Sequence, residues 1–299
     1  MAGAGAVRAV RDRIRSVGNA AKVTQAMELV AASKMRRAQD RALSSRPYAE
    51  RMRAVLAHLA GYARTSGGGD ELHPLLRQRE VRHFAFIHIT ADRGLAGGLN
   101  SNMNRAGASL ALEQQPHVER VSVLPAGRKG RDFFRRSGFP MLAEFTGLGD
   151  FPGMQQVLPI ARVVVDDYTR GEVDSVYLGF QRFVNTAVQR PTFRQLLPIT
   201  APEGVEATGP ALDFIFEPDP VRLLETLLPR YVEMQIYEAL LEASASEQSA
   251  RMVAMRQATD AANEMIQELT LTYNKARQEL ITSELLDIVG GKAALERER

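Results

Sequence analysis

The chain has 299 residues of which 45% are apolar, enough for a sizeable core, and it contains no cysteine. Disulfides, thiolate nucleophiles and Cys-ligated metals are therefore excluded. The formal net charge of +3 hides two opposed blocks: residues 1–60 hold 12 Lys+Arg against 4 Asp+Glu, residues 219–299 hold 9 against 14, and residues 61–218 carry 17 of each.

Blocks of opposite sign attract when the two ends lie side by side. No run approaches the roughly 20 apolar residues of a membrane span, and the first residues lack a hydrophobic signal core. Membrane association is expected to be indirect, through a partner. Arg8, Arg11, Arg13 and Arg15 in an acid-poor stretch have the pattern of a transit peptide, but the periodicity runs past the usual cleavage distance and reads as folded body.

From Ala6 to Tyr62 helix formers dominate and Pro47 is the sole proline, which predicts one long helix kinked near Pro47. Val7, Val10, Ile14, Val17 and Ala21 step by 3, 4, 3, 4, the spacing of a coiled-coil seam. The apolar pattern then shifts to Ala20, Val23, Met27 and Val30, breaks at Lys34 and resumes at Tyr48, Met52, Val55 and Leu59. Ser66-Gly67-Gly68-Gly69-Asp70 reads as a linker.

Beyond it strands and helices alternate. Val81–Ala91 is a buried strand, followed by a glycine turn from Asp92 to Asn100 and a helix to Gln115. Val121–Pro125 and Asp174–Phe180 are further strands, and Gly127–Ser137 and Met154–Thr169 are helices. That alternation predicts a mostly parallel sheet with right-handed crossovers. Arg182–Ile199 adds edge strands, kept from the centre by Pro191. Asp219-Pro220 starts a last helix that runs to Gly290-Gly291 and is bent by Pro229. Within it Ala262, Ile266, Leu269, Tyr273, Ala276 and Leu280 form the cleanest heptad of the chain. About 70 residues at 1.5 Å each span on the order of 100 Å, so this helix is expected to project beyond the globular part.

The Asp92–Asn100 turn could present amides to a phosphate, but it has neither the dinucleotide fingerprint nor Gly-Lys-Ser/Thr, and tight turning is the simpler reading. Gly127-Arg128-Lys129-Gly130 is a second basic turn, read as a solvated connection. The five histidines show no ligand spacing, and His83 and His88 would face opposite sides of their strand. Asp166-Asp167 reads as surface charge. Lys34, Arg36, Arg37 and Arg41 suit a nucleic acid as well as acidic protein surfaces, but no nucleic-acid reading motif accompanies them.

Three stretches carry a resemblance. Ile14–Gln39, IRSVGNAAKVTQAMELVAASKMRRAQ, resembles the first helix of the F-type ATP synthase gamma subunit family. Ile89–Asn102, ITADRGLAGGLNSN, is similar to its central signature, and Leu227–Leu269 followed by TYNKARQELITSELLDIVGG resembles its final helix. Gly18 and Ala20 stand where the family is usually polar, and the cysteine-bearing insertion of chloroplast members is lacking, which points to a bacterial member.

The resemblance implies an α/β fold: an antiparallel coiled coil of the N- and C-terminal helices, residues 1–65 and 219–299, with a Rossmann-like, mostly parallel domain inserted at 66–218. It implies a non-catalytic rotor shaft with no cofactor, no metal and no nucleic acid. Its partners would be the alpha and beta subunits in a 3:3:1 ratio, the epsilon subunit and the membrane ring of c subunits, at the cytoplasmic face of a bacterial plasma membrane. Carried over by motif, Met27 and Arg251 would lie near the beta subunit's acidic lever, and Gln278, Thr282 and Glu284 at its catch loop. Lys34 and Arg36 are further candidates for contact with beta. The rival reading is a phosphate- or nucleotide-binding enzyme built on the Asp92–Asn100 turn.

Overall fold

A computed structural model describes residues 2–65, 73–200 and 220–297. The expected linker Ser66–Asp70 and the expected cap Asp219 lie outside these. The chain divides into two compact units, Met1–Val30 with Met252–Arg299, and Ala31–Arg251. Helices α1 (Ala2–Thr65) and α5 (Pro220–Arg297) each contribute to both, and each is a single helix, through Pro47 and Pro229 respectively.

The first unit is a pair of helices. Gly18 faces Ile266, Thr24 Oγ1 lies 2.7 Å from Thr259 Oγ1, and Arg256 Nε donates to Glu28 Oε1 at 2.8 Å. As one number rises the other falls, so the helices run antiparallel. On α5 the half-buried stripe is Ala262, Ile266, Leu269, Tyr273, Ala276 and Leu280, the heptad read from the sequence. On α1 the seam does not shift. Ala21 is buried and Thr24 and Glu28 are half-buried, whereas Val23 is 59% and Val30 52% exposed. The three-four rhythm continues through small and polar residues because the helices approach closely there and the threonine pair supplies a hydrogen bond, so apolarity is a poor marker of the seam.

The second unit is built on a four-stranded sheet in the order β2-β1-β3-β4. Strands β1 (His83–Ile89), β2 (Arg120–Ala126) and β3 (Ser175–Phe183) are parallel, and β4 (Gln189–Leu197) pairs antiparallel with β3 at the edge. Pro191 sits on that edge strand, where a missing N–H costs no ladder bond. Between the strands run α2 (Leu99–Gln114), α3 (Arg128–Arg136) and α4 (Met154–Arg170).

The period of two along β1 sorts the helices. Ala85, Ile87 and Ile89 pack in one cluster with α4 and with Leu228, Val232 and Ile236 of α5, while Phe84 and Phe86 pack on the other face with Ala111 and Phe134. Met52 and Leu56 of α1 join the first cluster, one helical turn apart. The expected seam residues Tyr48 and Val55 are instead 53% and 41% exposed, because burial follows the Met52–Leu56 spacing; Leu59's side chain lies outside the described residues. α5 also does not stop at Gly290-Gly291 but continues to Arg297. A glycine ends a helix when it takes the left-handed cap conformation, which Gly290 does not.

His83 and His88 do fall on opposite faces. His88 is fully buried between α2 and α3, close enough that a Cβ on Gly107 or Gly130 would come within 2.7 or 2.8 Å of its ring. Its Nε2 donates to Asn104 Oδ1 at 3.0 Å, and Phe134 stands edge-on at 4.9 Å. Burial lowers its pKa from 6.5 to about 4, against the raising effect of the Asn104 bond. The unfolded imidazole thus protonates before the folded one. Stability from this site is complete above the unfolded value and is lost as the pH falls toward the folded value, by about 3 kcal/mol in all. Urea unfolding between pH 7 and pH 4 should show that loss in the native chain and a flatter pH dependence in His88→Leu; an unchanged slope would refute the assignment.

Candidate functional site

The residues expected to meet a partner fall into two groups, one in each unit. In the helix pair, Met27 is half-buried beside Glu28 and the Glu28–Arg256 bond, at the edge of the seam. Gln278, Thr282 and Glu284 are all exposed on α5. Helix geometry brings only the first two together: Gln278 and Thr282, four apart, share a face and line a shallow groove with Lys275, Glu279, Ser283 and Leu286. Glu284, two residues past Thr282, points to nearly the opposite side at 100° per residue.

From Ile281 to Gly290 every side chain of α5 is exposed, including Leu285 at 57%, Leu286 at 66% and Ile288 at 69%. Followed residue for residue, the antiparallel register carries α1 to its start at Ala2 near the level of Thr282. Among the described residues of this unit, none of α1 lies opposite the last turns of α5.

In the second unit Lys34 and Arg251 belong to one polar network around the loop before α4. Lys34 Nζ binds Asp150 Oδ2 at 2.6 Å, and this bond, with the Lys34 charge, holds the Asp150 carboxyl below its ordinary range. Ser244 Oγ donates to the Asp150 carbonyl at 2.9 Å. Arg251 is 8% exposed. Its Nη2 donates to Glu247 Oε1 at 2.6 Å and to the Gly94 carbonyl at 3.2 Å, and its Nη1 to Gln248 Oε1 at 3.0 Å. Burial pushes the Glu247 carboxyl up, and Arg251 pulls it part of the way back. Arg36 is exposed.

Both glycine turns are held by hydrogen bonds within the chain. Asp92 accepts from Arg128 N and Leu148 N, and Asn100 Oδ1 from Ala91 N. At the second turn Gly130 N donates to Thr90 Oγ1 and Lys129 N to the Ala91 carbonyl, so the first amides of α3 are already occupied. Gly127 has φ +121° and a Cβ there would lie 2.0 Å from the Thr90 carbonyl, which admits only glycine. Asp167 pairs with Arg170 at 2.6 Å on the helix surface. Among the described residues no group of three or more His, Cys, Asp or Glu could hold a metal ion.

Sequence reasoning passed over Glu247, Gln248 and Asp150. The first carried a legible signal, since Glu followed by Arg four residues on is a helical pair. Asp150 carried none, because Lys34 and Asp150 are 116 residues apart. Removing one member of a buried ion pair strands the other. With side-chain exposures of 10% for Arg251 and 18% for Glu247, Arg251→Met should destabilise the chain by about 3 kcal/mol, the low end of that class. The double variant Arg251→Met, Glu247→Leu should recover most of the loss; denaturant titration of both decides the point.

The family described as ATP synthase matches residues 6–295. The chain is 54% identical over 289 residues to the ATP synthase gamma chain of Dehalococcoides mccartyi, covering 97% of this chain and 99% of that relative. It is 48% identical over 296 residues to that of Herpetosiphon aurantiacus, covering 97% and 99%. Among solved structures, the central stalk and c-ring of Tetrahymena thermophila mitochondrial ATP synthase contains a chain matched at TM-score 0.58 and 25% identity over 79% of this chain and 99% of that one. An assembly of OSCP, F1 and c-ring from Euglena gracilis mitochondrial ATP synthase contains one with the same fold at TM-score 0.65 and 18% identity, over 98% and 95%.

Proposed function

The chain belongs to the ATP synthase gamma chain family, and on that premise we propose that it is the central rotor shaft of a proton-translocating F-type ATP synthase. The observation that carries the reading is the antiparallel helix pair of the first unit, whose longer member continues past the seam with every residue from Ile281 to Gly290 exposed. An exposed run of Ile281, Leu285, Leu286, Ile288 and Val289 calls for an apolar surround. In this reading a hexamer of alternating alpha and beta subunits supplies it, one shaft to three of each. The epsilon subunit and the ring of c subunits meet the shaft elsewhere, and the complex stands at the cytoplasmic face of a bacterial plasma membrane.

The chain performs no chemistry itself in this mechanism. It couples by shape: a helix pair has no threefold symmetry, so each beta subunit meets a different face, and rotation presents those faces to the three catalytic sites in turn. Hydrogen bonds within and across the pair, such as Arg256–Glu28, resist slippage of one helix on the other. Met27, Gln278, Thr282 and Glu284 are the proposed contacts with beta, and Lys34 and Arg36 extend the set. For Arg251, whose donors are directed inward, the proposed role includes holding the Gly94 carbonyl and with it the turn that follows.

Mixing the purified chain with alpha and beta subunits should yield a complex of one copy per three of each with ATP hydrolysis. Absence of a complex together with ATPase activity of the chain alone would overturn the reading. In the assembled enzyme, Gln278→Ala with Thr282→Val, both exposed, should lower protons pumped per ATP hydrolysed without changing the stability of the free chain. Unaltered pumping would remove these two residues from the contact set.

A further inference from the structure

One residue of the second unit joins three elements that are far apart in the chain. Asp150, in the loop before α4, accepts at Oδ2 from Lys34 Nζ of α1 at 2.6 Å, and its carbonyl accepts from Ser244 Oγ of α5 at 2.9 Å. Gln248, one turn beyond Ser244, reaches Asp150 Oδ1 with its Nε2 at 3.5 Å, a weak contact. The loop itself is fastened to the sheet, since Leu148 N donates to Asp92 Oδ2 just past β1. Its next residue, Phe151, has the Arg41 guanidinium of α1 at 4.7 Å from the ring centre.

Directional contacts matter here because of what else holds α1. Over Ala31–Arg41 the buried residues are Ala31 and Ala38, each 1% exposed, with Lys34 between them on the same stripe. An alanine is too short to lock as a knob between facing side chains, and apolar burial is indifferent to direction. Such a face permits close approach but opposes neither sliding along the helix axis nor rotation about it. The next buried residues of α1 among those described, Met52 and Leu56, begin about 20 Å further along the helix. On α5, by contrast, Leu228, Val232, Ile236 and Leu240 fill the core against the sheet, and Ser244, Ser246 and Ser249 bond loops beside it.

Ala31–Arg41 opens the part of α1 that belongs to the second unit, and Ser244–Arg251 closes that of α5. The Lys34 bond, with the charges of Lys34, Arg93 and Arg251, holds the Asp150 carboxyl below its ordinary range and so keeps it ionised at neutral pH.

We propose that Asp150 is a positioning residue that fixes the rotation and axial register of α1 against α5 where the two helices leave the α/β unit, so that both turn as one part of the shaft. The last clause rests on the rotor reading; the fixing of register does not.

The register is measured on the free full-length chain, which has no native cysteine. Spin labels at Asp40→Cys and Arg230→Cys, both exposed in the second unit, report the α1–α5 distance by dipolar spectroscopy. In Asp150→Ala and in Lys34→Met the distance distribution should broaden, while Lys34→Arg, which keeps the charge, should match the native chain. The double variant Asp150→Ala, Lys34→Met should broaden it no further than either single substitution, because the two act through one contact. Tm should change little, since an ion pair with side chains 28% and 26% exposed adds little stability. If Asp150→Ala fails to fold, Lys34→Met and Lys34→Arg decide the matter. An unchanged distribution, effects that add in the double variant, or a Lys34→Arg chain as broad as Lys34→Met would overturn the proposal. In the assembled enzyme, Asp150→Ala should leave the complex and its ATP hydrolysis intact and lower the protons pumped per ATP; pumping as in the native enzyme would overturn the coupling role. Failure of the native chain to assemble with alpha and beta would instead sink the rotor reading, and the free-chain measurement would still decide whether Asp150 fixes the register.

Discussion

One unbroken helix has to solve two packing problems. Over Leu224–Arg251 α5 belongs to the second unit and is buried around much of its circumference; from Met252 onward it belongs to the helix pair and hides a single stripe. A helix buried on most sides would ordinarily be apolar all round. This one is not, and the way it manages shapes the second unit. Leu228, Val232, Ile236 and Leu240 fill the core against β1 and α4. One turn later the buried positions become Ser244, Ser246, Gln248 and Ser249.

Those hydroxyls satisfy carbonyls that sheet and loops leave open. Ser246 Oγ donates to the Gln181 carbonyl, Ser249 Oγ to that of Thr186 and Ser244 Oγ to that of Asp150. Small side chains let the helix backbone approach the ends of the strands, and their hydrogen bonds remove the penalty of burying polar groups there. Arg251 closes the series by holding the Gly94 carbonyl. A part that transmits torque benefits from such fixing, because each bond ties the helix to a loop of its own unit and resists local rotation.

The strands, the three short helices and the edge position of β4 were legible from alternation, glycine turns and Pro191. The heptad on α5 was legible as well, because Ile266, Leu269, Tyr273 and Leu280 are large and apolar and mark their own face. The matching seam on α1 was not. Past Val17 it runs through buried Ala21 and half-buried Thr24 and Glu28, with Met27 half-buried at its edge, while Val23 and Val30 lie outside, so a reading that follows apolarity drifts off the stripe. The contact set shows the same limit: Gln278 and Thr282 share a face by arithmetic, but the inward engagement of Arg251 depends on Glu247 beside it and on Gly94, 157 residues away.

By itself the sequence determined the order and kind of the elements, the absence of cysteine chemistry, the opposed charges of the two ends and, through three motif stretches, the family. Local spacing encodes these, since helix and strand periods and turn residues act over a few positions. The tertiary structure alone decided which face of α1 is the seam, that Gly290 continues its helix, that Arg251 is buried, and that Gln181 is buried at the end of β3. Each of those outcomes is set by groups distant in the chain, whose approach distances and hydrogen-bond partners exist only once the backbone has been brought together.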